Sequence, residues 1–343
     1  MTKRIKIGIF ALLFSLAVSS FAFSQNHSLG DLTRAADNFA TTLARSLPLN
    51  SALGLNWSDA YIGQFFPSVT PSFGVGFTVG ITTMNRPAIE DLAVLLGFDG
   101  MGINIERFPF PAYAGEARIG GFFGLPFDVG LKVGVLPPVG GSDFSFDYTL
   151  IGGDIRYAIL DRPFLPTVSL GVGFNYLRGG VGGSGGGDGG SFTFRTSNGL
   201  GGYWDHTVDL GGSPNIDLHW RTFSLDVKAQ ISHSFAIATP FFGVGWSLAW
   251  SRAGYEVGAP NMVLTPDAGA GGAFTEDDIR AHLRSQGIDP RGGISSHEDE
   301  RAFNVRLFGG VGFNMAFFVL DLGAMMCLRD ANYGASIGFR FQM

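Results

Sequence analysis

Apolar residues alternate with small or polar residues along most of the chain from about residue 69 onward. In the run 167–176, the even-numbered positions hold Val, Leu, Val, Phe and Tyr, and the odd-numbered positions hold Thr, Ser, Gly, Gly and Asn. A period of two places successive side chains on opposite faces of a β-strand. The same pattern recurs at 73–81, 113–123, 127–135, 151–159, 223–231, 242–250, 303–313, 318–322 and 333–341. The chain is therefore predicted to form about ten strands, each with one apolar face.

The segment 29–47 has a different period. Its apolar residues recur at steps of three and four, which is the spacing of one face of an amphipathic helix. These residues are Leu29, Leu32, Ala36, Phe39, Leu43 and Leu47. Pro48 is predicted to end the helix, because proline lacks the backbone N–H that a helix interior requires.

Charged residues stand in the middle of several predicted strands, on the face opposite to the apolar one; Asp154, Lys228 and Arg306 are examples. In a soluble β-sandwich, the apolar faces would meet in a core and the polar faces would be solvated. In a bilayer the arrangement is inverted, and the sheet must close because every backbone N–H and C=O needs a partner. The sequence favours an all-β protein, a closed antiparallel transmembrane β-barrel with a short N-terminal amphipathic helix, over a soluble β-protein or a helical membrane protein.

The links between the predicted strands alternate in length. Short links begin the strands at Pro71, Pro126, Pro166 and Pro240, and the link 314–316 is short without proline. The links between them are long, at 84–112, 137–145, 177–215 and 252–300, and only 328–332 in that second set is short. Short turns at one end and long loops at the other are typical of membrane barrels. The segments 191–196 and 203–210 either add two strands or form a hairpin outside, so about 8 to 12 strands are expected.

The N-terminus has the three-part pattern of a secretory signal peptide. Lys3, Arg4 and Lys6 precede an apolar run, and small residues lead to a predicted cleavage site near Ser24. Cleavage removes basic groups from a chain that already has 23 Lys and Arg against 29 Asp and Glu. This acidic balance argues against nucleic-acid binding, which needs a basic face.

Composition agrees with the strand pattern. The chain has 343 residues, including 52 Gly and 33 Phe, and only 15% are charged. Phe lies mostly on the apolar strand positions, and Gly often occupies the positions between them. Cys327 is the single cysteine, so no disulfide within the chain contributes to its stability.

The last strand carries the most specific resemblance. Tyr333, Ile337, Phe339 and Phe341 alternate with small or polar residues, and Gln342 and Met343 follow. This strand is similar to the C-terminal assembly signal of Gram-negative-type outer-membrane β-barrel proteins, although that signal usually ends in Phe itself. The resemblance covers about residues 67–343. It implies passage through the periplasm with chaperones, insertion by barrel-assembly machinery, and contact with lipopolysaccharide-type lipids in the outer membrane of a diderm bacterium.

Three regions follow from these observations. Residues 1–24 are predicted to be the signal peptide, 25–66 a periplasmic or plug segment that contains the helix, and 67–343 the transmembrane barrel. The longest outer loops are expected at 84–112, 177–215 and 252–300. Within the first of these loops, 87–97 is predicted to be an apolar helix that either packs over the rim or forms a mouth for hydrophobic ligands, which resembles the long-chain fatty-acid transporters.

The charges on the non-lipid face are the candidate functional residues. They are predicted to line the lumen as Glu116, Arg118, Lys132, Asp154, Arg156, Asp226, Lys228, Arg306, Asp321 and Arg340. Mixed signs on facing strands either tile a pore wall or pair and fill a closed interior. The histidines lack metal-ligand spacing, so no catalytic residue, metal or cofactor is expected. The expected function is a narrow passive channel or a conduit for small solutes, hydrophobic ones included. The alternative is a barrel without transport that anchors the envelope or binds partners through its loops.

Overall fold

The computed structural model is an all-β barrel, with two helices among the residues that it describes. It describes residues 29–62, 71–85, 107–121, 125–140, 144–162, 164–184, 191–197, 202–209, 215–258, 263–270, 274–285, 288–289 and 293–343. Helix α1 spans Leu29–Ser51 and helix α2 spans Glu276–Ser285, with a 3-10 turn at Ala268–Ala270. The strands are β1 Ser72–Asn85, β2 Arg107–Gly120, β3 Phe127–Gly140, β4 Phe144–Leu160, β5 Thr167–Ser184, β6 Ser191–Ser197, β7 Tyr203–Asp209, β8 Asn215–Ser232, β9 Ala238–Gly258, β10 Val263–Thr265, β11 Ile288–Asp289, β12 Gly293–Met315, β13 Phe318–Cys327 and β14 Tyr333–Gln342.

Ten of these strands form a closed antiparallel barrel. They follow the order β1, β2, β3, β4, β5, β8, β9, β12, β13 and β14, and β14 pairs with β1. Strand β12 completes the ring, because Arg306 lies opposite Cys327 of β13 on one side and Gly245 of β9 on the other. The predicted closed barrel of about ten strands is thereby confirmed.

The two faces of the wall differ as the alternation predicts. Phe77, Leu131 and Ile337 face outward with 55–59% of their surface exposed, whereas Arg118 faces inward and is 2% exposed. An outer surface of contiguous Phe, Val, Ile and Leu side chains is stable in hydrocarbon and unfavourable in water. The barrel therefore has the outer surface of a membrane-spanning protein.

The two ends of the barrel differ in their connections. At the end that we call the short-turn end, all the links are short; at the other, which we call the long-loop end, long links follow β1, β5 and β9, and short ones follow β3 and β13. Outer-membrane barrels place short turns in the periplasm and long loops outside the cell. Strands β9 and β12 are 21 and 23 residues long, well beyond the roughly 9–11 residues that cross a bilayer. The wall therefore continues past the membrane at the long-loop end, into the segments 177–215 and 252–300 that the sequence predicts as loops.

The two segments left open by the sequence form a hairpin outside the wall. Strands β6 and β7 pair with each other, and β10 adds a third strand to this small sheet. The ten-strand ring does not include them, because β5 pairs directly with β8.

Helix α1 is longer than predicted and contains Pro48 rather than ending before it. The last turn survives the missing N–H because its side chains are buried: Leu47, Asn50 and Ser51 have no exposed surface. Tertiary packing thus outweighs the local preference. Among the described residues, no helix is long and apolar enough to cross a bilayer. The predicted signal peptide, its cleavage site and the predicted helix 87–97 lie outside the described residues.

Candidate functional site

The N-terminal segment occupies the lumen of the barrel. We call residues 40–62 the plug; they comprise the second half of α1 and the extended chain that follows it. Near the long-loop end, the Tyr255 hydroxyl donates to Asp37, just before the plug, at 3.3 Å. At the short-turn end, the Ile62 amide donates to Asp128 at 3.1 Å. The segment therefore runs the length of the lumen, from the long-loop end to the short-turn end.

The half of the lumen nearer the long-loop end is an apolar core. Leu43, Leu47 and Leu53 of the plug pack there against inward side chains of the wall, including Phe110 and Trp220. Phe110 and Trp220 themselves meet edge to face at 5.2 Å between ring centres. Burying one such side chain contributes roughly 1.5–3 kcal/mol, so this layer fixes the helix in the barrel. Phe39, Leu43 and Leu47 of the apolar stripe predicted from the sequence therefore face the inside of the wall.

The other half of the lumen contains a buried ionic network on strands β2, β3, β4 and β8. Asp128 accepts bonds from Arg118 and from Arg156, the latter at 2.8 and 2.9 Å. Asp154 pairs with Arg118 at 2.7 Å and with Lys228 at 2.6 Å. Each acid thus serves two cations, and these side chains join the neighbouring strands β2, β3 and β4 to β8, which lies beyond β5.

A second ionic group joins the plug to β13 and β14. Arg340 pairs with Asp321 of the wall and, at 2.6 Å, with Asp59 of the plug. Its guanidinium also lies 4.7 Å from the ring centre of Trp57, whose indole N–H donates to Glu116. Cation–π contact and the indole bond place this tryptophan in one orientation.

Wall side chains also bind the backbone of the plug. The Lys132 ammonium donates to the carbonyls of Ser51 at 2.7 Å and Leu53 at 2.8 Å. Similar bonds run from Arg118 and Lys228 to Leu55, from Gln230 to Trp57, and from Arg156 to Asp59. The segment after α1 lacks regular secondary structure, so these side chains satisfy carbonyls that would otherwise be unpaired.

A small polar cavity lies between the plug and the wall. It measures about 20 Å³, room for roughly one water molecule, and its lining includes Asn56, Lys132 and Arg306. Arg306 pairs with Asp226 at 2.9 Å. Its Nε, like the Asn56 Oδ1, is buried without a protein partner.

All ten residues predicted to line the lumen lie on the inner face and are at most 8% exposed. The structure brings them into one connected interior together with residues that the sequence did not single out. The ten comprise six cations and four acids; Asp128 of the wall and Asp59 of the plug make the charges equal. The alternation along β3 puts Asp128 on the same face as Lys132, so the sequence could have predicted that Asp128 faces the lumen. No periodicity marks Asp59.

The four residues predicted as the assembly signal face outward on β14. Phe339 stacks on Phe318 at 5.5 Å between ring centres, and Phe341 meets Phe318 and Phe317 at 5.6 and 6.1 Å. The two residues after Phe341 continue the pairing, since the Met343 amide donates to Phe73 at 2.9 Å. Recognition of this strand by assembly machinery stays a prediction.

The small sheet at the long-loop end encloses a histidine. His206 of β7 has no exposed surface; it accepts from the Asp267 amide at Nδ1 and meets Thr196 through Nε2 at 2.8 Å. Its ring stacks on Phe274 at 4.3 Å. Burial lowers the pKa of His206 below its ordinary value. Within the described residues, no group of three or more His, Cys, Asp or Glu side chains is placed to hold a metal ion.

No protein-family model matches the chain, and no curated protein is significantly similar to it. Solved structures that resemble it include the outer-membrane protease OmpT from Escherichia coli, at 10% identity and a TM-score of 0.42, covering 80% of this chain and 97% of that one. The translocator domain of the autotransporter NalP from Neisseria meningitidis has 10% identity and a TM-score of 0.32, covering 91% and 98%. The Pseudomonas putida toluene transporter TodX has 8% identity and a TM-score of 0.27, covering 94% and 99%. Likeness at this level transfers no activity to this chain.

The class of the protein follows from its own geometry. A closed ring of ten antiparallel strands has no free edge, and its outer surface is apolar. The charged residues lie inside the ring, where they bind one another and the plug. The chain is therefore a closed ten-stranded antiparallel β-barrel with the outer surface of a transmembrane protein, and its lumen is filled by its own N-terminal segment.

Proposed function

We propose that the protein presents a binding surface outside the cell, on a membrane barrel that its own plug keeps closed. The observation that carries this proposal is the filling of the lumen along its whole length by residues 40–62. An apolar core closes one half, and a charge-balanced network closes the other. A passive pore would need a continuous aqueous path past both layers.

The wall beyond the membrane and the small sheet supply the proposed surface. Tyr203 on β7 is 67% exposed, and the Arg195 guanidinium lies 5.7 Å from its ring centre. Arg195 is held in turn by Asp205 at 2.7 Å. Tyrosine and arginine contribute disproportionately to binding at protein interfaces, and this pair is already ordered before a partner arrives.

Two measurements test the proposal. In a planar bilayer, the purified full-length protein should give no discrete conductance steps. Cells that produce the Y203S/R195S variant should adhere to protein-coated glass less than cells that produce the unaltered chain. The matched control is the R280S variant, which removes an exposed arginine from α2. Steady steps from the full-length protein, or unchanged adhesion by the double variant, would contradict the proposal.

The second candidate function is a gated conduit for small solutes, in which the plug moves aside. The cavity between plug and wall favours it, because polar atoms of Asn56 and Arg306 already lack protein partners there. Under this proposal, conductance appears only under conditions that displace the plug, and neutralising Arg306 changes the size of the steps. Surface binding would then be unaffected by Y203S/R195S.

A further inference from the structure

Three arginines lie side by side on the outer face of the wall. Arg178 of β5 is opposite Arg221 of β8, and Arg221 is opposite Arg252 of β9. Arg252 is in turn opposite Asp299 of β12. We call Arg178, Arg221 and Arg252 the arginine row. Adjacent strands are about 4.8 Å apart, so the three cationic side chains leave the wall within a span of roughly 10 Å.

The row lies at the boundary of the apolar belt. One step toward the short-turn end, the outward positions of the same strands hold Tyr176, Phe223 and Trp250, which are also paired in register. Phe223 and Trp250 are in ring contact at 6.0 Å. Aromatic residues of this kind mark the level where hydrocarbon meets the lipid headgroups. The arginine row lies two residues beyond these aromatic positions toward the long-loop end. This distance is about 7 Å along a strand and places the row in the headgroup layer.

Positive charge exceeds negative charge at this level of the described wall. Like charges directly opposite each other on paired strands are destabilising. Asp299 pairs with Arg252, and within the described part of the chain neither Arg178 nor Arg221 forms an ion pair. A fourth cation, Arg301, lies over the Trp250 ring at 5.5 Å. Four outward cations therefore lie beside one carboxylate that is in register with them, Asp299, whereas the outward acids Asp147, Asp217 and Glu256 lie two to four residues farther along their strands. The excess of positive charge at this level favours an external anion.

We infer that the arginine row binds the phosphate groups of a phosphorylated glycolipid of the lipopolysaccharide class. Three features support this occupant: charge complementarity, the planar guanidinium that binds two phosphate oxygens at once, and the height of the row above the aromatic belt. The long-loop end places the row in the outer leaflet, where such lipids reside in the membranes that contain barrels of this class. Acyl chains of the bound lipid would lie along Phe223 and Trp250.

The test compares two double variants with the same loss of charge. R178Q/R221Q removes the two unpaired members of the row, and R162Q/R284Q removes two exposed arginines elsewhere, one in a short turn and one on α2. Binding of purified lipopolysaccharide to the detergent-solubilised protein is measured by native mass spectrometry. Identical circular dichroism and heat-modifiable mobility of the two variants verify that both are folded.

An arginine at a membrane surface strengthens association with anionic lipid about fivefold, so R178Q/R221Q should weaken binding roughly 25-fold while the control leaves it unchanged. Chemical removal of the lipid phosphates should erase the difference between the two variants. Equal weakening by both variants would overturn the inference. So would equally tight binding of the dephosphorylated lipid, which would place recognition in the acyl chains, or of phosphatidylglycerol, which would reduce the row to a general anionic contact.

Discussion

Removing a single contact between the wall and the plug should make the plug more mobile without opening a pore. Lys132 is 2% exposed and donates to the carbonyls of Ser51 and Leu53. The K132M variant keeps a side chain of similar length but removes both bonds. Because the carbonyls are buried, neither regains a partner from water without a local rearrangement.

The magnitude follows from the contacts. A bond to a charged group contributes roughly 1.5–3 kcal/mol, so losing two costs about 3–6 kcal/mol. The wall side chains that hold the plug include the six donors Arg118, Lys132, Arg156, Lys228, Gln230 and Arg340. Even at about 1 kcal/mol each, the remaining five keep the fully released state below roughly one molecule in a thousand.

Hydrogen exchange and planar-bilayer recording test this reasoning together. In K132M, the amides of 50–56 should exchange roughly 10² to 10⁴ times faster, with no conductance steps. A chain without residues 29–62 should show steps when it folds. The control R162M changes an exposed arginine in a short turn and should alter neither measurement. Unchanged exchange in K132M, or identical steps from the full-length and the shortened chain, would refute the placement of the plug.

Three further predictions concern other parts of the molecule. The D128N variant leaves two buried guanidinium groups underpaired and should cost about 3–5 kcal/mol, seen as a lower temperature of the heat-modifiable mobility shift. D205N, which breaks a solvent-exposed pair, should leave that temperature nearly unchanged. The pKa of His206 is lowered in the folded state, so the small sheet should be most stable above the unfolded-state pKa of about 6.5 and should loosen as the pH falls below it. Hydrogen exchange of β6 and β7 measures this loosening, and H206N should abolish its pH dependence. In G74A, the new Cβ would lie 2.8 Å from the plug indole and should destabilise the barrel, whereas outward-facing G115A meets its nearest atom at 3.6 Å and should be tolerated.

The alternation of apolar and polar positions was enough to place ten wall strands and the two faces of each. It worked because lipid on one side and a protein interior on the other impose opposite requirements on successive side chains. The same rule assigned all ten charged residues to the inner face. It extended the predicted loops too far, because strands that project beyond the membrane lose the apolar outer face on which the prediction depended, as in 251–258 and 293–302.

Contacts between residues far apart in the sequence decided the rest. Asp59 meets Arg340 across the lumen, and Pro48 remains helical because the wall buries the turn around it. The arginine row also depends on the pairing register of β5, β8 and β9. Arg178, Arg221 and Arg252 are far apart in the sequence, and the sequence alone does not show that they lie opposite one another. The sequence by itself determined a membrane barrel with a charged interior, because the period of two is a local property of each strand. Only the tertiary structure decided that the interior is closed. The lumen is filled by contacts between the N-terminal segment and wall strands that are far from it in the sequence, and no local pattern specifies such contacts.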